Sequence, residues 1–328
     1  MRTELVDIAE NPIPRGAHCS VVRPSDGIGL RVATFQAAGG AMWGTLLLLQ
    51  GRAEFIEKYF ETIAYFRDRG FDVASFDWRG QGGSERVLRS RSKGHVREFE
   101  DYQLDLDAVL RDMRERNMPK PWYVVAHSMG ASILLWRLQR ADQPFRRAAV
   151  LSPMIGISRN IAPGYARSAV TALSGLGLAR AYVPGGGPGS ISTLPFENNR
   201  LSADPFRYAR NAAILAAAPD LGIGAPTIGW LATAFRTMRA LSDSNYPRRV
   251  TTPLLILASG ADRVVTTISA ENFAARLKTG EAIVIKGARH ELLMERDIYR
   301  EQALAALNAF IPGGDPSVLA AKRYSVPA

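Results

Sequence analysis

Residues 122–136 read WYVVAHSMGASILLW: an apolar run, a cluster of small residues, then a second apolar run at helical spacing. The small cluster, A-H-S-M-G at 126–130, is one glycine short of G-x-S-x-G. That pattern turns a strand sharply into a helix and exposes a serine at the turn, which requires small side chains two before and two after it. Ala126 and Gly130 meet the requirement, Ala126 with one extra methyl. The helix that follows aims its free N–H groups and positive dipole end at Ser128. A packed turn of small residues is the competing explanation, and the rest of the chain has to separate the two.

Working outward, short apolar runs alternate with helical patterns. Strands are expected at 45–50, 71–78, 122–127 and 148–152, and helices at 54–69, 99–116 and 131–140. The strands are apolar throughout, as in a parallel sheet covered on both faces. From 155 to 249 the rhythm is lost. This zone is rich in Gly, Pro, Ala and Arg, with a flexible stretch PGGGPGS at 184–190 and helical patterns at 205–218 and 227–242. The alternation then resumes with strands at 253–258 and 282–286 and helices at 268–277 and 297–310. A helical insertion interrupting an α/β sheet accounts for this order. It divides the chain into a core at 1–154, an insertion at 155–249, a second core segment at 250–314 and an exposed tail at 315–328.

In a parallel sheet the reactive groups belong at the carboxyl ends of the strands. A serine hydroxyl needs a base to take its proton, and the chain has four histidines. His18 has no strand end behind it, His95 reads as a capping or surface residue, and strand alternation turns His127 away into the core. His290 follows the strand at 282–286 across a short loop and is the expected base. Asp262, just past the strand at 253–258, is the expected acid that holds the imidazole in one tautomer. Glu271 and Glu291 are the fallbacks. Ser128, Asp262 and His290 then fall in the chain order that such hydrolases use. The oxyanion would be held by two backbone N–H groups, Met129 after the nucleophile and Arg52 after Gly51 at the end of the first long strand. The Arg52 side chain is left for another task, such as meeting an anionic headgroup.

Composition removes other classes. The 328 residues are 47% hydrophobic and 22% charged, with a formal net charge of +10, a globular balance. Cys19 is the single cysteine, so an intrachain disulfide and a thiolate metal cluster are excluded. No metal or other cofactor is expected. No apolar run approaches the roughly 20 residues of a membrane span, and Glu4, Asp7 and Glu10 stand where a signal peptide would be apolar. A cytoplasmic protein is expected. The basic residues are spread over 86–97, 137–147 and 236–249. No nucleic-acid partner is expected; the charge is either a solvated surface or suited to the anionic inner face of a membrane.

Six motifs now stand along the chain: D-W-R-G-Q-G-G-S at 77–84, A-H-S-M-G at 126–130, L-S-A-D-P-F-R-Y-A-R-N at 201–211, G-A-P-T-I-G-W-L at 224–231, G-A-D-R at 260–263 and K-G-A-R-H at 286–290. With these the chain resembles α/β-hydrolases of the monoacylglycerol lipase and bacterial lysophospholipase branch, from about 45 to 310. The resemblance implies an α/β-hydrolase fold whose insertion is a helical cap, and a single-chain lipid ester as substrate, either lysophospholipid or monoacylglycerol. Phe196, Trp230, Leu231 and Phe235 in the cap would line an acyl channel or form the cap's own core. Two departures are visible: the family's H-G-x-G is Q-G-R-A at 50–53, and Ala131 stands where a second glycine is common. The rivals are a short-chain carboxylesterase or a peptidase similar to proline iminopeptidases, and a hydrolase-fold protein that binds without turnover.

Overall fold

A computed structural model describes residues 1–39 and 43–312. The expected tail at 315–328 lies outside the described residues. In chain order come β1 (Ala17–Val22), β2 (Leu30–Phe35), β3 (Thr45–Leu49), α1 (Phe60–Asp68), β4 (Asp72–Phe76), α2 (Asp101–Glu115), β5 (Trp122–His127), α3 (Ser128–Arg137) and β6 (Phe145–Leu151). They are followed by α4 (Ala166–Leu173), α5 (Pro205–Ala217), α6 (Ile228–Leu241), β7 (Leu254–Ser259), α7 (Thr267–Ala274), β8 (Gly280–Ile285) and α8 (Asp297–Phe310). The strands form one eight-stranded sheet in the order β1-β2-β4-β3-β5-β6-β7-β8. β1 and β2 pair antiparallel, as do β2 and β4, and every later pairing is parallel. This is the α/β-hydrolase architecture.

Both faces of the sheet are covered, which is why its central strands carry no polar alternation. Leu47, Leu49, Val124, Ala126, Val150 and Ile256 point to one side, where Leu106, Val109 and Leu134 of α2 and α3 meet them. Leu46, Leu48, Tyr123, Val125, Leu151 and Leu257 point to the other, against Ile63 and Phe66 of α1 and Leu304 of α8. The antiparallel β1–β2 hairpin gave no such sequence signal. β1 (AHCSVV) is a half-exposed edge strand with no clean alternation, and it contains His18. The helix expected at 54–69 opens as a 3-10 turn over Ile56–Tyr59 before α1. The helix expected to start at 131 starts at Ser128 itself.

Between β6 and β7 the chain contributes helices and no strand to the sheet. α5 starts where Asp204 accepts the Arg207 N–H at 2.8 Å with Pro205 in the first turn, and α6 where Thr227 accepts the Trp230 N–H at 3.2 Å. Both are favoured helix starts. α6 buries Trp230, Ala234, Met238 and Leu241 in the same cluster as α2 and α3. α5 is tied to the core by ions: Arg207 pairs with Glu61 at 2.6 Å and Asp297 at 2.8 Å, and Arg210 with Glu61 at 2.8 Å. The glycine run at 184–190 does not behave as a loose linker. Gly187 O accepts the Ala225 N–H at 2.9 Å, and a Cβ on Gly224 would lie 2.2 Å from that same oxygen.

The D-W-R-G-Q-G-G-S segment is a buried charge clamp. Asp77 accepts from Arg31 Nε at 2.8 Å and from the N–H groups of Ile56 (3.0 Å) and Gly83 (2.7 Å). Arg31 also pairs with Glu57 at 2.7 Å, and all three side chains are fully buried. Removing one partner strands the other charge in a low-dielectric interior. Asp77→Ala is therefore expected to lower unfolding stability by about 3–5 kcal/mol, measured from urea denaturation followed by circular dichroism. A change under about 1 kcal/mol would refute the clamp.

Candidate active site

β5 ends at His127 and α3 begins at Ser128, whose φ is +50°. A side chain is strained in this left-handed region, and such strain is held where the surroundings over-determine the backbone. The holding contacts are visible. A Cβ on Gly130 would lie 2.4 Å from the Gln50 carbonyl oxygen, so glycine is needed for the end of β3 to touch the turn. Met154 N–H donates to Ser128 O at 3.1 Å. Ala126 and Ala131 are fully buried, which accommodates both departures from glycine.

The strand ends bring the three expected residues together. Ser128 Oγ lies 3.0 Å from His290 Nε2, and His290 Nδ1 lies 2.8 Å from Asp262 Oδ2. Asp262 Oδ1 accepts the N–H groups of Val264 (2.7 Å) and Val265 (3.0 Å). Burial would raise the Asp262 pKa, but His290 and these N–H groups outweigh it and hold the carboxyl below its usual range. An ionised Asp262 fixes the proton on Nδ1 and leaves Nε2 as an acceptor for the serine O–H. Of the fallback acids, Glu271 is exposed on α7 and Glu291 turns to Lys58 at 2.6 Å.

Gln50 replaces the histidine that would brace the loop after β3. It is buried in the sheet, with Nε2 3.4 Å from Ser75 Oγ and Oε1 without a partner. Other residues hold the loop instead. Gln81 donates to Gly51 O (2.8 Å) and Glu54 O (3.1 Å) and accepts from Ala53 N–H (3.2 Å). The Glu54 carboxylate accepts from Gly51 N–H, from Tyr59 Oη at 2.7 Å and from Lys58 Nζ at 3.0 Å. It also lies 3.1 Å from His127 Nδ1. The Met129 N–H, in the first turn of α3, has no partner within its helix.

His127 is turned away from Ser128 as strand alternation requires, yet its surroundings are polar. Nδ1 faces Glu54, Nε2 faces His290 O at 3.2 Å, and the two imidazoles lie tilted at 55° with centroids 4.8 Å apart. Both neighbours of the ring nitrogens are acceptors, so the doubly protonated ring fits best. Burial lowers the His127 pKa, but Glu54 outweighs it and the net shift is upward; Glu54 is held well below the carboxylate range by Lys58 and His127 against its own burial. Sequence reasoning missed Glu54, Gln81 and Lys58. The E-x-x-x-K spacing at 54–58 is the one signal it offered.

The segment between β6 and β7 lies against the same loop. Arg52 donates from Nη2 to Gly224 O at 2.7 Å, and its guanidinium sits over the Trp230 ring at 5.1 Å. Its side chain thus lies against Gly224 and Trp230. Trp230 packs on Phe99 and donates to Tyr102 Oη at 3.0 Å. Leu231 and Phe235 are partly buried between the α6–core cluster and the α4 cluster, while Phe196 meets Tyr208 edge to face near the start of α5. His95 is neither a surface nor a capping residue. It is buried, with Nδ1 2.8 Å from Thr227 Oγ1 of the cap.

A raised His127 pKa makes stability depend on pH. The folded state binds this proton more tightly than the unfolded state, so the contribution is complete below about pH 6.5 and is lost as pH rises through the raised folded-state value. The urea midpoint of the wild type is expected to fall from about pH 6 to about pH 9 more steeply than that of His127→Gln. Parallel profiles would mean that His127 carries no extra proton.

The "Serine aminopeptidase, S33" family model matches residues 40–297. The chain is 33% identical to lysophospholipase L2 of Escherichia coli over 281 residues, covering 81% of this chain and 79% of that one. It is 29% identical to a probable lysophospholipase L2 of Haemophilus influenzae over 266 residues, covering 81% and 83%. In fold it is similar to a monoglyceride lipase from Saccharomyces cerevisiae, with TM-score 0.70 at 17% identity, covering 88% and 94% of the two chains. A thermostable carboxyl esterase from Bacillus coagulans gives TM-score 0.73, also at 17% identity, covering 90% and 98%. With a family match across most of its length and a serine at the end of β5 in the expected turn, the chain belongs to the serine aminopeptidase S33 family of α/β-hydrolases, in the monoacylglycerol lipase and lysophospholipase branch, and is a serine hydrolase.

Proposed function

We propose that the protein hydrolyses single-chain lipid esters, with lysophospholipids as its main substrates, through a Ser128–His290–Asp262 triad. The observation that carries this is the hydrogen-bond chain from Ser128 Oγ through His290 to Asp262, set on a left-handed turn at a strand end. His290 Nε2 takes the Ser128 proton as Oγ attacks the ester carbonyl, and the N–H groups of Arg52 and Met129 hold the oxyanion. The imidazolium returns the proton to the departing glycerol oxygen, leaving an acyl-serine. A water, deprotonated by His290, attacks that acyl group and releases the fatty acid with Ser128 restored.

The lipid assignment is supported by the lysophospholipase relatives. In this reading residues 155–249 act as a cap, and Trp230, Leu231, Phe235 and Phe196 lie along the path of the acyl chain. The peptidase alternative has the family's own description behind it. However, an aminopeptidase needs a free carboxylate for the substrate's ammonium, and Glu54 and Glu291 beside the triad are already paired with Lys58.

Among the described residues no helix is long and apolar enough to cross a membrane. We place the protein in the cytoplasm, touching the anionic inner leaflet through the cap segment around α4. There Tyr165 and Leu176 are 73% and 77% exposed beside the exposed Arg159, Arg167 and Arg180. Apolar tips flanked by arginine suit the headgroup boundary.

Ser128→Ala is expected to lower kcat by about four to six orders of magnitude and to lose labelling by a fluorophosphonate. Equal labelling of native and variant protein would refute the assignment. Product analysis on lysophospholipids and monoacylglycerols of graded chain length should show fatty acid release with a preference for long chains; a sharp preference for short soluble esters would sink the lipid reading. A Leu176→Asp variant should sediment less with anionic vesicles than the wild type. Unchanged sedimentation would exclude this face.

A further inference from the structure

Arg52 stands where the loop after β3 meets the segment between β6 and β7. Its backbone N–H belongs to the loop after β3, and its side chain leads into the seam between that loop and the cap, against Gly224 and Trp230. Gly94 closes the same seam: a Cβ there would lie 3.5 Å from Arg52 Nη2 and 2.3 Å from Ile223 Cδ1.

Arg52 carries its charge without the carboxylate partner that several interior cations have. Arg31, Lys58, Arg79 and Arg137 each face a carboxylate. Among the described residues Arg52 has none. Its charged-group neighbours are the phenols of Tyr102 and Tyr182, its hydrogen bond goes to a neutral carbonyl, and its Nε is buried without a partner. Burial pulls the guanidinium down to about 10, so it stays charged at neutral pH. Holding a cation in such a seam without an anion is costly, and an arginine fork is well matched to phosphate oxygens.

Resting on the lipid-ester reading above, we propose that Arg52 receives the phosphate of the substrate headgroup, so that the site selects lysophospholipids over phosphate-free monoacylglycerols. In a lysophospholipid the phosphate is joined to the scissile ester through the three carbons of glycerol. Arg52 can hold the oxyanion by its N–H and the phosphate by its side chain at once. A monoacylglycerol presents only hydroxyls at that position and leaves the cation as it stands in the unliganded seam.

The test compares wild type with Arg52→Gln and Arg52→Lys, all of which keep the backbone N–H. Substrates are a lysophosphatidylcholine and a monoacylglycerol of the same acyl chain, in identical mixed micelles. The readout is the ratio of their kcat/KM values, which cancels any common effect on the loop. That ratio is expected to fall roughly tenfold to hundredfold in Arg52→Gln, with Arg52→Lys in between. Glycerophosphocholine should competitively inhibit p-nitrophenyl butyrate turnover by the wild type at concentrations that leave Arg52→Gln unaffected. An unchanged ratio would overturn the assignment. So would inhibition by inorganic phosphate without inhibition by glycerophosphocholine, which marks a site for the free ion. If the wild type cleaves only the monoacylglycerol, the lysophospholipid reading falls as well. If it cleaves both and the ratio survives in Arg52→Gln, only the role of Arg52 falls.

Discussion

A buried carboxylate, Glu54, holds together parts of the site that come from distant stretches of chain. It takes hydrogen bonds from the loop after β3, from Lys58 and Tyr59 at the start of the first helix, and from His127 beside the nucleophile. Through Lys58 it reaches Glu291, and through His127 it reaches the carbonyl of His290. The loop that bears the Arg52 N–H and the loop that bears the base are thereby fixed to one another behind the reacting atoms. The position of the Arg52 N–H relative to the imidazole follows from this network, since neither loop belongs to a strand or helix that would set it alone.

The network is made of charge where apolar packing would have been cheaper. Two carboxylates, a lysine and an imidazolium balance each other in the interior, and each ion is desolvated. A hydrophobic cluster could give comparable stability but would leave loop positions less determined, because apolar contacts have no direction. Hydrogen bonds to a carboxylate do have direction. Catalysis by oriented N–H groups depends on such fixed geometry more than on stability.

Much of the sheet was legible because its central strands are buried on both faces, and runs such as TLLLL and WYVVAH have no other comfortable setting. The proposed triad was legible for a related reason. Ser128 follows directly on such a strand, while Asp262 lies shortly past β7 and His290 past the half-exposed edge strand β8, so strand ends could be read before any contact was known. Two things were not. The β1–β2 hairpin lies at the sheet edge, where half-exposed residues carry no alternation. Glu54, Lys58 and Gln81 act through contacts across the fold, and a charged pair at helical spacing looks the same in sequence whether it is solvated or buried. His95 was misjudged in that way, and His127, turned inward as expected, is buried in polar company that sequence alone does not display.

The glycine run before α5 also has a meaning opposite to its appearance. Gly187 and Gly224 meet backbone to backbone, and the carbonyl that Arg52 holds belongs to Gly224. Both glycines lie between β6 and β7, so this contact fixes two loops of that segment to each other, while the Arg52 side chain spans from the loop after β3 to the Gly224 carbonyl. A methyl group on Gly224 would part the two loops and shift the carbonyl that Arg52 holds.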